Sequence, residues 1–274
     1  MEKVSSSEIL RYFSNLPVLK HYQEATEKVG LWNSEEIVFS KAFPNRNLRL
    51  LELGCGTGRI SFGLWKKGYT QITATDFSKP MIQRARRLNN KFKTEIIFKK
   101  EDATDLNFGD ESFEGAIFGF NGLMQIPERK NRLLAMREIQ RVLVTGSYFV
   151  FTSHDRMMPK WKKFWTVERK KWRKGQQNSE LLEFGDRFEE TPRGKLFIHV
   201  PDVEDVRSDL VKAGFSVERD IVKSKISKET NLVNQYSDDC RFWIARKKIG
   251  YLPRHSISMC MVATRVAGPV ILTL

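Results

Sequence analysis

The chain has 274 residues, 41% of them apolar and 29% charged, with a formal net charge of +14 and a pI near 9.7. That length suits one large domain with a sizeable core, and the composition excludes a disordered chain. A basic balance suits nucleic acid, acidic membrane or acidic small molecules as partners, and an ordinary soluble basic enzyme equally well.

Three cysteines, Cys55, Cys240 and Cys260, have no Cys-x-x-Cys spacing and offer neither a disulfide framework nor a zinc site. The start, MEKVSSSEILRYF, lacks the basic lead and long apolar run of a secretory signal, and the body holds no membrane-span candidate. A cytoplasmic enzyme is the expected class.

Residues 7–43 carry a helical pattern: Ile9, Leu10 and Phe13, then Ile37, Val38 and Phe43, with charges between. Residues 1–47 are therefore expected to form a helical cover, to which Tyr22 and Trp32 belong. From 48 to 154 apolar strands alternate with amphipathic helices. Strands are expected at 48–53, 71–75, 95–99, 114–120 and 147–153, and helices at 59–67, 79–92 and 127–143. Ser78 suits the N-cap of the second helix, with Pro80 in its first turn. Such βαβ alternation predicts a parallel sheet covered on both faces. A helix at 203–213, closed by Gly214, and strands at 215–223 and 240–247 complete it.

Between the first strand and helix lies Gly54-Cys55-Gly56-Thr57-Gly58. Glycines clustered there point to a turn that brings bare backbone close to a ligand, outside the carboxyl end of a strand. No lysine follows as in a phosphate loop, and the spacing is G-x-G-x-G rather than the dinucleotide G-x-G-x-x-G. Asp76 ends the next strand, where one carboxylate can accept both hydroxyls of an unphosphorylated ribose.

Glu52-Leu53-Gly54-Cys55-Gly56-Thr57-Gly58 resembles the first motif of the class I S-adenosylmethionine-dependent methyltransferase family. Asp76-Phe77, Asp102-Ala103 in EDATDL, and FEGAIFGFNGLMQI at 113–126 match further marks in order, and 137–152 resembles the helix–Gly–strand unit that follows. The resemblance spans about 48–247, with Val-Thr-Gly at 144–146 where Pro-Gly-Gly is common. It implies a doubly wound, mostly parallel seven-stranded α/β sheet (Rossmann-like) with an antiparallel last strand, over 48–248. It implies S-adenosylmethionine as cofactor, held by Glu52, Gly54, Cys55, Gly56, Gly58, Asp76, Phe77, Asp102, Ala103 and Asn121.

Methyl transfer from a sulfonium needs alignment more than a nucleophilic residue, and a base only where the acceptor must lose a proton. His154, after the fifth strand, is the candidate base. No metal site is expected. Residues 155–195 read as a helical lid insertion. Within it, 156–174 holds nine Lys or Arg against one Glu, with Trp161, Phe164, Trp165 and Trp172 on one helix side. That stretch suits a lid over the acceptor, a surface for RNA or another anion, or a membrane-surface helix. The expected acceptor is a small molecule, an anionic one included; an RNA acceptor and a non-catalytic cofactor-binding protein are the alternatives. Residues 249–274 have no acidic residue and no clear period, and read as an appendage without stable membrane insertion.

Overall fold

The computed structural model describes residues 3–248, so the expected appendage 249–274, with Cys260, lies outside the described residues. Three helices come first: α1 (Ser6–Phe13), α2 (Leu16–Lys28) and α3 (Asn33–Ala42). Then β1 (Leu50–Glu52), α4 (Arg59–Lys66), β2 (Ile72–Asp76), α5 (Lys79–Phe92) and β3 (Ile97–Lys100) alternate. They are followed by β4 (Phe113–Phe118), α6 (Arg129–Val142), β5 (Leu143–Ser153) and α7 (Lys162–Arg173). A hairpin of β6 (Asp186–Thr191) and β7 (Gly194–His199) precedes α8 (Val203–Lys212), β8 (Phe215–Val222), α9 (Asn231–Tyr236) and β9 (Arg241–Lys247).

Seven strands form one sheet in the order β3-β2-β1-β4-β5-β9-β8. All neighbouring pairs from β3 to β5 are parallel, and β9 runs antiparallel to both β5 and β8. The order reverses between β1 and β4, so the loops leaving the carboxyl ends of β1 and β4 diverge and open a crevice there.

Strict alternation sends successive side chains of the central strands to opposite faces, and both faces are apolar. Ala116 and Phe118 of β4, Phe149 and Phe151 of β5 and Trp243 of β9 pack with α6 and α8 on one face. Ile117, Val150 and Phe242 pack with α3, α4 and α5 on the other. Tight packing explains Gly115, whose added Cβ would lie 2.5 Å from Phe43 and 2.7 Å from Leu50.

α5 begins as expected, with the Ser78 hydroxyl accepting the Met81 N–H at 3.4 Å. The 155–195 segment departs from the expected helical lid. It holds α7 and then most of a two-stranded hairpin, the only strands outside the main sheet among the described residues. The consecutive strand-forming residues Leu196, Phe197 and Ile198, the last two buried, and the two-residue Pro192-Arg193 turn ahead of Gly194 (φ 118°) account for the hairpin. The short α9 was not anticipated either; its Tyr236 ring stacks on His21 at 5.0 Å.

Glu52, the last residue of β1, is buried, and its carboxylate accepts the Ser61 hydroxyl of α4. Burial pushes the Glu52 carboxyl up to about 8. A carboxyl raised in the folded state contributes stability that is full below its ordinary value of 4.5 and is lost as pH rises through about 8.

Two stability measurements follow from this packing. Gly115→Ala should cost roughly 1–3 kcal/mol through overpacking, read as a lower urea midpoint. Glu52→Gln should flatten the fall in stability between the ordinary value of 4.5 and about 8, so urea midpoints of the variant change less across that interval than those of the parent.

Candidate active site

The glycine loop leaves β1 with Gly54 at φ 59° and Gly56 at φ 55°, in the left-handed region where a side chain is disfavoured. A Cβ at Gly54 would come within 2.5 Å of the Phe118 ring, and one at Gly56 within 3.1 Å of the Tyr22 ring. The Asp76 carboxylate clamps the loop, accepting the Gly56 N–H on one oxygen and the Ser78 N–H on the other, each at 2.8 Å. Burial is the largest influence on Asp76 and pushes its carboxyl up to about 6, against the pull of those two N–H groups.

A cavity of about 1050 Å³, open to solvent, lies along this edge. Gly54, Gly56, Asp76, Phe77, Asp102 and Ala103 border it, so marks from the ends of β1, β2 and β3 meet around one space. The Asp102 carboxylate accepts both the N–H and the hydroxyl of Thr104, at 2.9 and 2.7 Å. The far wall comes from α1 through Ser6, Ile9, Leu10 and Phe13, and from the turn after β4 through Gln125, Ile126 and Pro127. Asp76 and Asp102 are the only charged side chains among the described residues that border it.

Tyr22, Gly54, Gly119 and Phe120 are shared with a smaller recess of about 530 Å³. Glu52, Cys55, Thr57, Arg59 and Trp32 surround it. Arg59 makes a bidentate pair with Glu35, both contacts 2.6 Å, and its guanidinium lies 4.7 Å from the Trp32 ring. The buried Trp32 indole N–H has no partner. Cys55 is buried, and burial pushes its thiol well above the ordinary range.

Of the ten residues expected around a cofactor, six border the large cavity, and Glu52 and Cys55 border the adjoining recess. Gly58 borders neither. Its φ of 95° starts α4, and it packs against Phe62 and Phe98. Asn121 has φ 58° and is turned away, its backbone N–H donating to Thr152 and its amide lying 3.2 Å from His154. His154 itself lies around a third, small cavity with Trp161, Trp165, Arg187 and Glu189. Its Nδ1 faces the Asp239 carbonyl at 3.3 Å, and burial, the largest influence, lowers its pKa. The chain turns under α7 after Ser153, which carries the imidazole out of the crevice. No residue of 155–195 borders the large cavity, whose cover is α1 and Tyr22 of α2. The α1 wall left only an apolar pattern in the sequence, whereas Gly122, Gln125 and Ile126 fall within the 113–126 stretch that carries the resemblance.

Residues 50–146 match the family model described as a methyltransferase domain. A 2-phytyl-1,4-naphtoquinone methyltransferase of Synechococcus elongatus is 31% identical over 151 residues, which is 52% of this chain and 60% of that protein. An O-methyltransferase, cnsE, of Penicillium expansum is 32% identical over 130 residues, 47% of this chain and 45% of that protein. The chain thus spans about half the length of these relatives. The crystal structure of a SAM-dependent methyltransferase from Methanosarcina mazei superposes with a TM-score of 0.62, at 21% identity, over 80% of this chain and 99% of that one, a likeness of fold. The match covers the stretch that carries the glycine loop and both acidic strand ends, set in a seven-stranded sheet with one antiparallel strand. Residues 50–146 thus form a methyltransferase domain, set in a fold like that of S-adenosylmethionine-dependent methyltransferases.

Proposed function

We propose that the chain transfers the methyl group of S-adenosylmethionine to a small, uncharged and largely apolar acceptor. The observation that carries this reading is the meeting of Gly54, Gly56, Asp76 and Asp102 around one cavity whose remaining wall is apolar.

The residues present suit the cofactor. Left-handed glycines, each facing a ring where a Cβ would sit, leave the loop backbone bare. Asp76 would take the ribose diol. Asp102, Ala103 and Phe77 would hold the adenine. Glu52 borders the recess where an ammonium would sit, and the unpartnered Trp32 N–H and Arg59 suit a carboxylate. The rings of Tyr22 and Phe120 stand at the junction of cavity and recess, surroundings that favour a cation.

When bound, the cofactor supplies a methyl on a positive sulfur, which an acceptor atom displaces in line. This chain's part is alignment and exclusion of water; holding two reactants in line is worth roughly 7–11 kcal/mol. Ile9, Leu10 and Phe13 would press the acceptor toward the junction, and Gln125 and Asn131 offer it hydrogen bonds. No His, Lys, Arg, Glu or Cys borders the large cavity among the described residues. The acceptor therefore attacks without a His or Lys base in that wall, and His154, around a separate small cavity, takes no direct part. The two aspartates repel an anionic acceptor, and an RNA strand for the same reason. The naphtoquinone and O-methyltransferase relatives support an acceptor of the small-molecule kind. In this organisation the described residues ahead of β1 cover the site and 48–248 form the transferase domain.

Calorimetry with S-adenosylmethionine and its demethylated product should give saturable heat with the parent. Asp76→Ala should weaken binding roughly 100-fold or more, since each hydrogen bond to a charged group is worth about 1.5–3 kcal/mol. Binding should strengthen as pH rises through about 6, as Asp76 ionises. With methyl-labelled cofactor and cell extract, label should enter an apolar, uncharged small molecule, and His154→Ala should keep more than a tenth of the rate, roughly. Label in RNA, or no heat with either compound, overturns the reading.

A further inference from the structure

α7 divides its residues sharply. Trp161, Trp165 and Trp172, spaced four and seven apart, lie on the inner side, with Trp165 only 5% exposed. Trp165 and Trp172 set their rings against Phe184 at 5.8 and 6.2 Å. The Arg187 guanidinium lies 4.9 Å from the Trp161 ring. Lys163, Val167, Lys170 and Lys174 recur at spacings of four, three and four and so share the outer side, all exposed. Val167 is 48% exposed, Phe164 at its flank 37%, and Met157 just ahead of the helix 65%. Lys163, Lys170, Arg173 and Lys174 make no ion pair with a described residue, while Lys171 pairs with Glu168 and Lys160 with Asp238. This surface stands apart from the large cavity, which no residue of α7 borders.

We propose that the outer face of α7 docks the protein on an anionic lipid surface, with Val167, Phe164 and Met157 entering the headgroup region and Lys163, Lys170 and Lys174 meeting lipid phosphates. Two features favour lipid over RNA. The three indoles that would stack on bases are turned inward, so the exposed apolar contribution is one valine, one methionine and the edge of one phenylalanine, which suit acyl chains rather than bases. The cations are mainly lysines, whose long stems lie along apolar surface while their ammonium groups stay in water, and they surround the exposed valine. No described helix is long and apolar enough to cross a membrane, so the contact is a reversible one on the surface.

Co-sedimentation of the full chain with vesicles tests this. Binding should appear on phosphatidylcholine vesicles containing phosphatidylglycerol, be absent on phosphatidylcholine alone, and fade as salt rises. The triple variant Lys163→Ser, Lys170→Ser, Lys174→Ser should lose affinity roughly 100-fold, at about 1 kcal/mol per cation. Cofactor binding by calorimetry should be unchanged in it, which reports that it has folded. Val167→Ser with Phe164→Ser should weaken vesicle binding several-fold and leave any binding of a single-stranded RNA oligonucleotide unaltered. The proposal is overturned by equal binding to both vesicles, by full binding of the folded triple variant, or by salt-sensitive RNA binding in the absence of vesicle binding.

Discussion

The Asp76 carboxylate, held between two backbone N–H groups, organises the crevice. One oxygen anchors Gly56 in the loop after β1, the other anchors Ser78 at the start of α5, and both contacts are 2.8 Å. A left-handed glycine needs something to hold it, because the same freedom that admits it raises the entropy of the unfolded loop. Ser78 carries the constraint outward: its hydroxyl caps α5 and donates to the Phe13 carbonyl at the end of α1 at 3.2 Å. Loop, second strand, fifth helix and cover thus share one hub. The cost is a carboxyl kept partly from water, which explains its upward shift.

The core of this arrangement was legible because its signals are local. Apolar runs of strand length, Ser78 with Pro80, and three closely spaced glycines each have a physical meaning within a few residues. The seven main-sheet strands accordingly fall within a few residues of their expected positions. Asp76 and Asp102 are legible in the same way as acids at or just past strand ends, and both border the large cavity. Long-range features escaped. His154 sits at the right place in the chain, yet its direction depends on how the backbone turns beneath Trp161 and Trp165. Asn121 lies off the crevice for a similar reason: at φ 58° it borders neither cavity, while Gly119, Phe120 and Gly122 lie along the large one. The hairpin at 186–199 leaves a weak local signal, because DRFEET is mostly polar and its pairing with GKLFIH closes through a turn without an Asn-Gly or Asp-Gly pair.

His199 shows how a reactive side chain can be fully accounted for by structure. With Glu183 and Asp186 it forms the group of potential metal donors among the described residues. Its Nδ1 and Asp186 share a 2.8 Å hydrogen bond, the second Asp186 oxygen accepts the Leu182 and Glu183 N–H groups, and Glu183 pairs with Arg132 at 2.6 Å. A cation entering there would meet a guanidinium and displace satisfied hydrogen bonds. The cluster instead pins the hairpin to α6, with the carboxylates compensated where they stand.

The charge of the whole and the charge of the cavity wall have opposite signs, and this separates the two proposals that composition alone merges. A net +14 invites the idea of an anionic substrate, but the walls of the large cavity carry two aspartates and no cation among the described residues. At short range the lining decides, because charges outside a Debye length of roughly 8 Å are screened while those in the wall are not. The basic excess would therefore act on what approaches the protein's exterior, where lysines on α7 stand in solvent. A surface that meets anions and a pocket that accepts neutral molecules are compatible demands when the neutral molecule is apolar and collects at a charged lipid boundary. Under that condition the proposed lipid contact and the proposed transfer would draw on opposite signs, one for residence and the other for selection.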